Sequence, residues 1–254
     1  MKARILGSGT SSGVPRLGND WGACDPAEPR NRRTRASLLV EHDGVRVLVD
    51  TSPDMREQLL AANVATVDAI IWTHDHADHC HGIDDVRQIF HATGRPVRGL
   101  ARPATLSVLA TRFAYVFAGR DGYPATVAGE PLGDVLTIGG LTIRATDQPH
   151  GSISSAGLRF EADGKALGYA TDFNAMTPAM RALYTGLDLW IVDALRHAPH
   201  PSHATVAAVE GWVEALKPQR TAFIHMDHSM DYRREAARLP AGVEPGYDGQ
   251  EFVL

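Results

Sequence analysis

The chain has 254 residues, 44% of them hydrophobic, a formal net charge of −5 and only two cysteines, Cys24 and Cys80. That composition supplies a substantial core and excludes a disulfide-stapled scaffold and a general polyanion binder of basic charge. No apolar run reaches the roughly 18 residues of a membrane helix, and the first residues lack an apolar signal region, so a cytoplasmic setting and a single domain over residues 1–254 are expected.

Residues 3–7 read as a strand entering the glycine-rich stretch Gly7-Ser8-Gly9-Thr10-Ser11-Ser12-Gly13. That stretch is either a cradle of backbone N–H groups for an anion or a turn beside a site. Residues 14–35 form a long irregular segment ending in Arg30, Arg32, Arg33 and Arg35. These arginines are either solvated or, with Arg16, contacts for a substrate phosphate. A hairpin over 36–41 and 45–50 turns at Asp43-Gly44. A helix over 53–62, capped by Ser52, leads to the buried strand 68–73. A helix over 84–91, a strand over 96–101, a helix over 104–117 and a loop over 119–133 follow. The second half gives strands 135–138 and 141–146, then a hairpin 155–161 and 165–171 turning at Asp163-Gly164. Helix 178–184, strand 189–193, helix 204–216, strand 220–224, helix 233–239 and strand 251–254 complete it. Hairpins mixed with helical crossovers in both halves predict an α+β fold: two mixed sheets packed face to face with helices outside.

The strand 68–73 delivers His74, His76, Asp78 and His79 within six residues. Imidazole nitrogen and carboxylate oxygen are the donor types that Zn²⁺ and similar divalent ions accept. His74 and His76 share one side of an extended segment; Asp78 and His79 serve a second ion if the chain turns into a helix. Two ions about 3.5–4 Å apart suit hydrolysis of a phosphoryl or carbonyl group. Three more donor side chains stand beyond other strands: His150 after 141–146, Asp172 at the end of 165–171, and His225 at the end of 220–224. Sites in α/β sheets gather at such strand ends. Asp50 and Asp193, also at strand ends, are either partners that orient ligand histidines or plain turn residues.

The order H-x-H-x-D-H followed by a later His, Asp and His resembles the metallo-β-lactamase fold hydrolases. The resemblance implies an αβ/βα four-layer sandwich with two divalent ions, zinc or manganese, at one edge of the sheets. It implies that His74, His76 and His150 hold one ion, that Asp78, His79 and His225 hold the other, and that Asp172 bridges them. Gly7-Ser8-Gly9-Thr10, Trp21-Gly22, residues 191–193 and Gly246-Tyr247-Asp248-Gly249-Gln250-Glu251 are most similar to the phosphoribosyl cyclic phosphodiesterases associated with carbon–phosphorus lyase operons. Ser202-His203-Ala204-Thr205 resembles the H-x-T element of those enzymes and of the tRNA 3′-processing nucleases. The function implied is hydrolysis of a small, cyclic phosphodiester, with Asp78 orienting the nucleophile and His203 protonating the leaving group. His203 is otherwise a residue at a helix start with Ser202 as cap, and His197 and His200 share its loop. Relatives of this kind are often homodimers; no stable nucleic acid complex and no membrane partner are expected.

The resemblance departs at the structural zinc site, where a cysteine cluster is replaced by Cys24, Asp25 and Glu28, with His228 as the late histidine. A third metal site at these four is an expectation carried by the resemblance. Three rival functions stand beside the phosphodiesterase. A tRNA 3′ endonuclease needs a protruding basic arm that this acidic chain lacks. A thioesterase of the glyoxalase II kind or a lactamase does not need the H-x-T element. A non-catalytic metal-binding accessory protein has no need of the complete ligand set.

Overall fold

The computed structural model describes residues 1–254 and arranges them in two seven-stranded sheets. The first contains β1 (Lys2–Gly7), β2 (Ser37–His42), β3 (Val45–Val49), β4 (Ala69–Trp72), β5 (Val97–Ala101) and β6 (Val127–Pro131) side by side in that order. The second runs from β7 (Val135–Ile138) through β8 (Leu141–His150), β9 (Ile153–Ala162), β10 (Lys165–Ala170), β11 (Leu189–Asp193) and β12 (Arg220–Ile224) to β13 (Val243–Pro245). The last strand, β14 (Glu251–Val253), returns to the first sheet beside β1.

Both sheets follow one plan. Four antiparallel strands, β14–β1–β2–β3 and β7–β8–β9–β10, are followed by three parallel ones, β4–β5–β6 and β11–β12–β13. The β2–β3 and β9–β10 hairpins turn on Asp43-Gly44 and Asp163-Gly164, all four with positive φ. That is the backbone a two-residue hairpin needs to match the strand twist. Val40, Val47 and Ile71 of one sheet face the cluster of Leu158, Phe160, Leu167 and Ile191 from the other, all fully buried. The outer faces are covered by α1 (Met55–Ala61), α3 (Val86–Thr93), α4 (Pro103–Arg112) and α5 (Ala114–Ala118) on the first sheet, and by α6 (Pro178–Leu183) and α7 (Val206–Leu216) on the second. The short α2 (Ala77–Cys80) and α8 (Tyr232–Arg238) follow the two strands β4 and β12. The expected two-sheet sandwich with outer helices is the observed fold.

The differences have local causes. The expected loop 119–133 contains β6, an edge strand with one neighbour, whose Gly129 and exposed Ala128 leave too little apolar alternation to read. β13 was equally invisible, at three residues. Strand 141–146 continues to His150 despite Pro149. Past Arg144 this strand has lost its β7 neighbour and pairs only with β9, so a residue without N–H is tolerated. The helix over 104–117 breaks at Phe113. Ser52 does not cap α1; its hydroxyl accepts from the N–H of Asp54, one residue before the helix. The helix after His203 begins at Val206 with Thr205 as its cap, so Ser202 and His203 precede it as loop.

Candidate metal centre

The site lies where the parallel strands of both sheets end. Three of its residues leave their strands through left-handed backbone: Asp50 after β3 (φ 64°), Asp172 after β10 (φ 54°) and His225 after β12 (φ 57°). Such a conformation costs an L-residue about 1–2 kcal/mol, and strain of this kind collects at functional sites.

The seven expected ligands converge. His76 Nδ1 and His150 Nε2 are 3.2 Å apart. His74 Nε2 and His150 Nε2 lie 3.7 and 3.5 Å from Asp172 Oδ2. On the other side, His79 Nε2 and His225 Nε2 lie 3.2 and 3.4 Å from Asp172 Oδ1, and 3.3 and 3.5 Å from Asp78 Oδ2. One carboxylate thus turns one oxygen to each group of imidazoles. His203 adds its Nε2 at 3.7 Å from Asp172 Oδ2.

The imidazoles are aimed from behind. His79 Nδ1–H donates to Asp50 Oδ2 at 2.7 Å. His74 Nδ1–H donates to Thr73 Oγ1 at 3.0 Å, and that hydroxyl donates to Asp50. His150 Nδ1–H donates to the Ser202 carbonyl at 2.9 Å, and His203 Nδ1–H to Asp193 Oδ2 at 2.6 Å. At His74, His79 and His150, outer nitrogens so engaged leave the Nε2 lone pair facing inward, the tautomer a metal ligand needs. The inward Nε2 atoms of His74 and His79 are buried without a hydrogen-bond partner, an arrangement that costs free energy unless something accepts those lone pairs. The donor set and the gaps between its atoms therefore fit divalent ions coordinated at about 2.0–2.2 Å.

Charge tells the same story. Burial pulls His74 well below the usual histidine range, and His150 below it. Burial also pulls on His79 and His225, but there the carboxylates prevail. Asp172, Asp78 and Asp50 hold His79 well above its ordinary value, and Asp172 with Asp78 and Asp193 pushes His225 up to about 9. Burial opposes ionisation of Asp78 and Asp172, yet the neighbouring histidines hold both well below the carboxylate range. The carboxylates thus draw positive charge onto the Asp78–His79–His225 group.

Asp50 is the expected partner of a ligand histidine; Asp193 instead orients His203 and lies 3.9 Å from His225 Nδ1. His200 packs against His203 with ring centroids 4.9 Å apart, whereas His197 turns away to Glu235 at 3.0 Å. Thr73 and the Ser202 carbonyl were not foreseen: the first is an unmarked residue between β4 and the motif, the second a backbone contact that side-chain patterns do not encode. Arg112 was also missed. It donates to both the carbonyl and the carboxylate of Asp75 and so braces the middle of the histidine motif from α4.

Two further expectations meet different geometry. The glycine-rich stretch has spent most of its N–H groups within the fold: Ser8 on Asp248, Gly9 on the Thr34 carbonyl, Thr10 on the Met226 carbonyl, Gly13 on the Thr10 carbonyl, which leaves Ser11 and Ser12 on the groove beside Asp78. Its glycines permit contact; a Cβ on Gly7 would stand 2.0 Å from the Arg35 carbonyl. The four residues of the third metal site are not gathered. Glu28 is gripped by Arg30 (2.6 and 2.9 Å) and Arg233 (2.7 Å), His228 faces Asp20 at 3.6 Å, and Asp25 accepts from the N–H of Ala27. Cys24 Sγ lies 3.8 Å from Arg33 Nη1. The buried Arg33 guanidinium donates to the carbonyls of Asp227 and Met230 and to Asn31 Oδ1. A fixed cation thus joins residues 24–33 to 227–232 where an ion was expected, and arginines have already neutralised Glu28. Arg35, paired with Asp54 at 3.0 Å, and Arg16 line a groove of about 830 Å³ together with Asp78.

A profile described as the beta-lactamase superfamily domain matches residues 45–226. The octanoyltransferase of Porphyromonas gingivalis (strain ATCC BAA-308 / W83) is 31% identical over the whole chain, but the chain spans only 52% of that protein's length. A solved diphosphatase of the PhnP family is 36% identical, with a TM-score of 0.91 covering 100% of this chain and 97% of the other. Zn²⁺-bound PqqB from Methylobacterium extorquens superposes with a TM-score of 0.80 over 100% of both chains; at 20% identity it shows the fold alone. No helix is long and apolar enough to cross a membrane.

Proposed function

The chain belongs to the beta-lactamase superfamily, and from that premise we propose that it is a metal-dependent phosphodiesterase acting on a small phosphodiester at a site for two divalent ions. The coarser part, a metal-dependent hydrolase, follows from the family and from the similar diphosphatase. The finer part rests on one observation above all: the two oxygens of Asp172 divide the imidazoles into two groups, with His203 held beside them by Asp193.

In this reading His74, His76 and His150 hold one ion, Asp78, His79 and His225 the other, and Asp172 reaches both. When bound, the ions supply positive charge for the phosphoryl oxygens and lower the pKa of water. The residues do the rest. Asp78, mostly buried but lining the groove, orients the attacking water with its free oxygen. His203, held at Nδ1 by Asp193, gives a proton from Nε2 to the departing oxygen. Asp193 keeps that ring at the angle the transfer needs. The resemblance of Ser202-His203-Ala204-Thr205 to H-x-T elements and the diphosphatase neighbour both support cleavage of a P–O bond. A cyclic diester as substrate, zinc or manganese as the ion, a cytoplasmic setting and a homodimer belong to the same proposal.

The test is hydrolysis of bis(p-nitrophenyl) phosphate beside a thioester and a β-lactam, after chelation and after restoring Zn²⁺ or Mn²⁺. Metal-dependent cleavage of the diester alone is expected. Cleavage of the thioester alone overturns the phosphodiesterase assignment and removes His203 from the chemistry.

A further inference from the structure

His225 is held differently from the other buried imidazoles of the site. His74, His79 and His150 each donate from an outer nitrogen to an oxygen within 3.0 Å. His225 Nδ1 is buried without a hydrogen-bond partner, Asp193 Oδ1 being 3.9 Å away. Its ring stacks between His79 and His203, and without an outer hydrogen bond its aim within that stack depends on its backbone, which is in the left-handed region and has to be held there from outside.

The residues that hold it come from both ends of the chain. Met226, next to His225, donates its N–H to the Ser8 carbonyl and accepts from Thr10 N–H. Ser8 in turn is pinned by Asp248, whose Oδ1 accepts from its N–H and its hydroxyl, both at 2.8 Å. Asp248 Oδ2 accepts from the N–H and hydroxyl of Thr34, at 2.7 and 2.6 Å. Thr34 closes the ring by accepting Gly9 N–H at its carbonyl. All four donors to Asp248 are neutral, and no cation pairs with it. The segment carrying Asp248 also spans the two sheets: Gly246 N–H donates to Phe223 of β12, and Gly249 N–H to Ile5 of β1. A Cβ at Gly246 would stand 2.7 Å from the Phe223 carbonyl, so this approach requires glycine.

We infer that Asp248 is a positioning residue for His225, acting through Ser8 and Met226, and that the segment Gly246 to Gln250 is a clasp that holds the two sheets together at the metal edge. The inference rests on the proposed reading that His225 holds an ion. It differs from a general stabilising role in being selective: loosening the clasp affects one ion and spares the other.

The experiment is titration of the metal-stripped full chain with Co²⁺, followed by visible absorption, with His225→Ala and His150→Ala marking which binding phase belongs to which group. Asp248→Asn keeps the shape but faces two of the four donors with an NH₂ group. It is expected to weaken the phase lost in His225→Ala by about 10–100-fold, the usual effect of removing an outer partner of a metal ligand, and to leave the His150 phase within about threefold. Ser8→Ala removes one donor of four and is expected to weaken the same phase by about threefold, the worth of one hydrogen bond; it keeps the test open if Asp248→Asn folds poorly. Leu158→Ala, in the core between the sheets, lowers Tm and is expected to leave both phases in place. Equal weakening of both phases in the Asp248 and Ser8 variants, or no weakening, overturns the inference. A wild-type chain that binds fewer than two equivalents overturns the two-ion reading itself, separately.

Discussion

Asp50 and Asp172 occupy matching places in the two sheets. Each follows the last antiparallel strand of its sheet, β3 or β10, and each leaves it through left-handed backbone. Yet Asp50 stands behind the site, accepting from His79, Thr73 N–H and the Thr73 hydroxyl. Asp172 stands in front, within 3.2–3.7 Å of five inward nitrogens. The same backbone device thus yields two jobs, and what separates them is the neighbour. After β4 the chain supplies a histidine motif for Asp50 to orient. The Asp172 carboxylate, by contrast, looks across at imidazoles from both sheets. A carboxylate whose acceptor sites are filled by N–H and O–H donors is a scaffold; one whose oxygens face unpaired nitrogens is a ligand candidate.

If that division is right, replacing the front aspartate must cost far more than replacing the rear one. Asp172→Ala is expected to lower kcat/KM for a chromogenic diester at least about 1,000-fold, since it removes several kcal/mol of charge organisation from both groups at once. Metal content should fall toward one equivalent or less. Retention of two ions with near wild-type turnover would break the comparison at its strongest point.

His203 extends the comparison to a third strand-end carboxylate, Asp193, which also works from behind. His203→Ala is expected to keep both ions and lower kcat by about 100-fold, the range for loss of a positioned acid. KM should move little. Loss of metal in step with activity would instead make His203 a ligand and Asp193 the counterpart of Asp50.

How much of this was legible beforehand follows the same line between front and rear. The front residues were readable because ion chemistry fixes their type: His74, His76, Asp78, His79, His150, Asp172 and His225 are imidazoles and carboxylates at strand ends, and all seven meet. The two-sheet plan was readable because Asp43-Gly44 and Asp163-Gly164 dictate hairpin turns. The rear was less readable because many groups can do its work. A hydroxyl at Thr73, a carbonyl at Ser202 and a carboxylate at Asp50 all serve to accept one N–H. The third metal site misled for a related reason. Cys24, Asp25, Glu28 and His228 have suitable types, but the sequence does not show that Arg30 and Arg233 take Glu28 first. Edge strand β6 escaped because one-sided pairing demands little of its side chains.

The rear aspartate supplies a smaller and more specific test. Asp50→Asn offers one acceptor oxygen where Asp50 used two, so either Thr73 or His79 loses its partner. If His79 turns to the other tautomer, its inward nitrogen carries a proton and cannot bind an ion. Affinity at the Asp78–His79–His225 group should fall about 10–100-fold while turnover recovers at saturating metal. Failure of excess metal to restore kcat would mean that Asp50 faces the chemistry after all.

The smallest expected effect is on stability, and it separates the two groups by pH. In the metal-stripped protein, His225 moves from an ordinary 6.5 to about 9, and His79 also lies well above 6.5. A group with a raised folded pKa contributes stability that is complete below its unfolded value and is lost as pH rises through its folded value. Tm should therefore decline between pH 6.5 and 9. His74 and His150, held below 6.5 by burial, act in the opposite sense: they favour the unfolded chain as pH drops under 6.5, so stability peaks near that value. Added Zn²⁺ binds the same nitrogens that the protons occupy, and the decline toward pH 9 should flatten as metal replaces them. Thermal unfolding followed by circular dichroism across pH 5 to 9, with chelator and with Zn²⁺, measures both slopes. A metal-stripped Tm that rises from pH 6.5 to 9 would mean that the carboxylates around His79 and His225 do not hold protons there, and that the two groups of imidazoles are electrostatically alike.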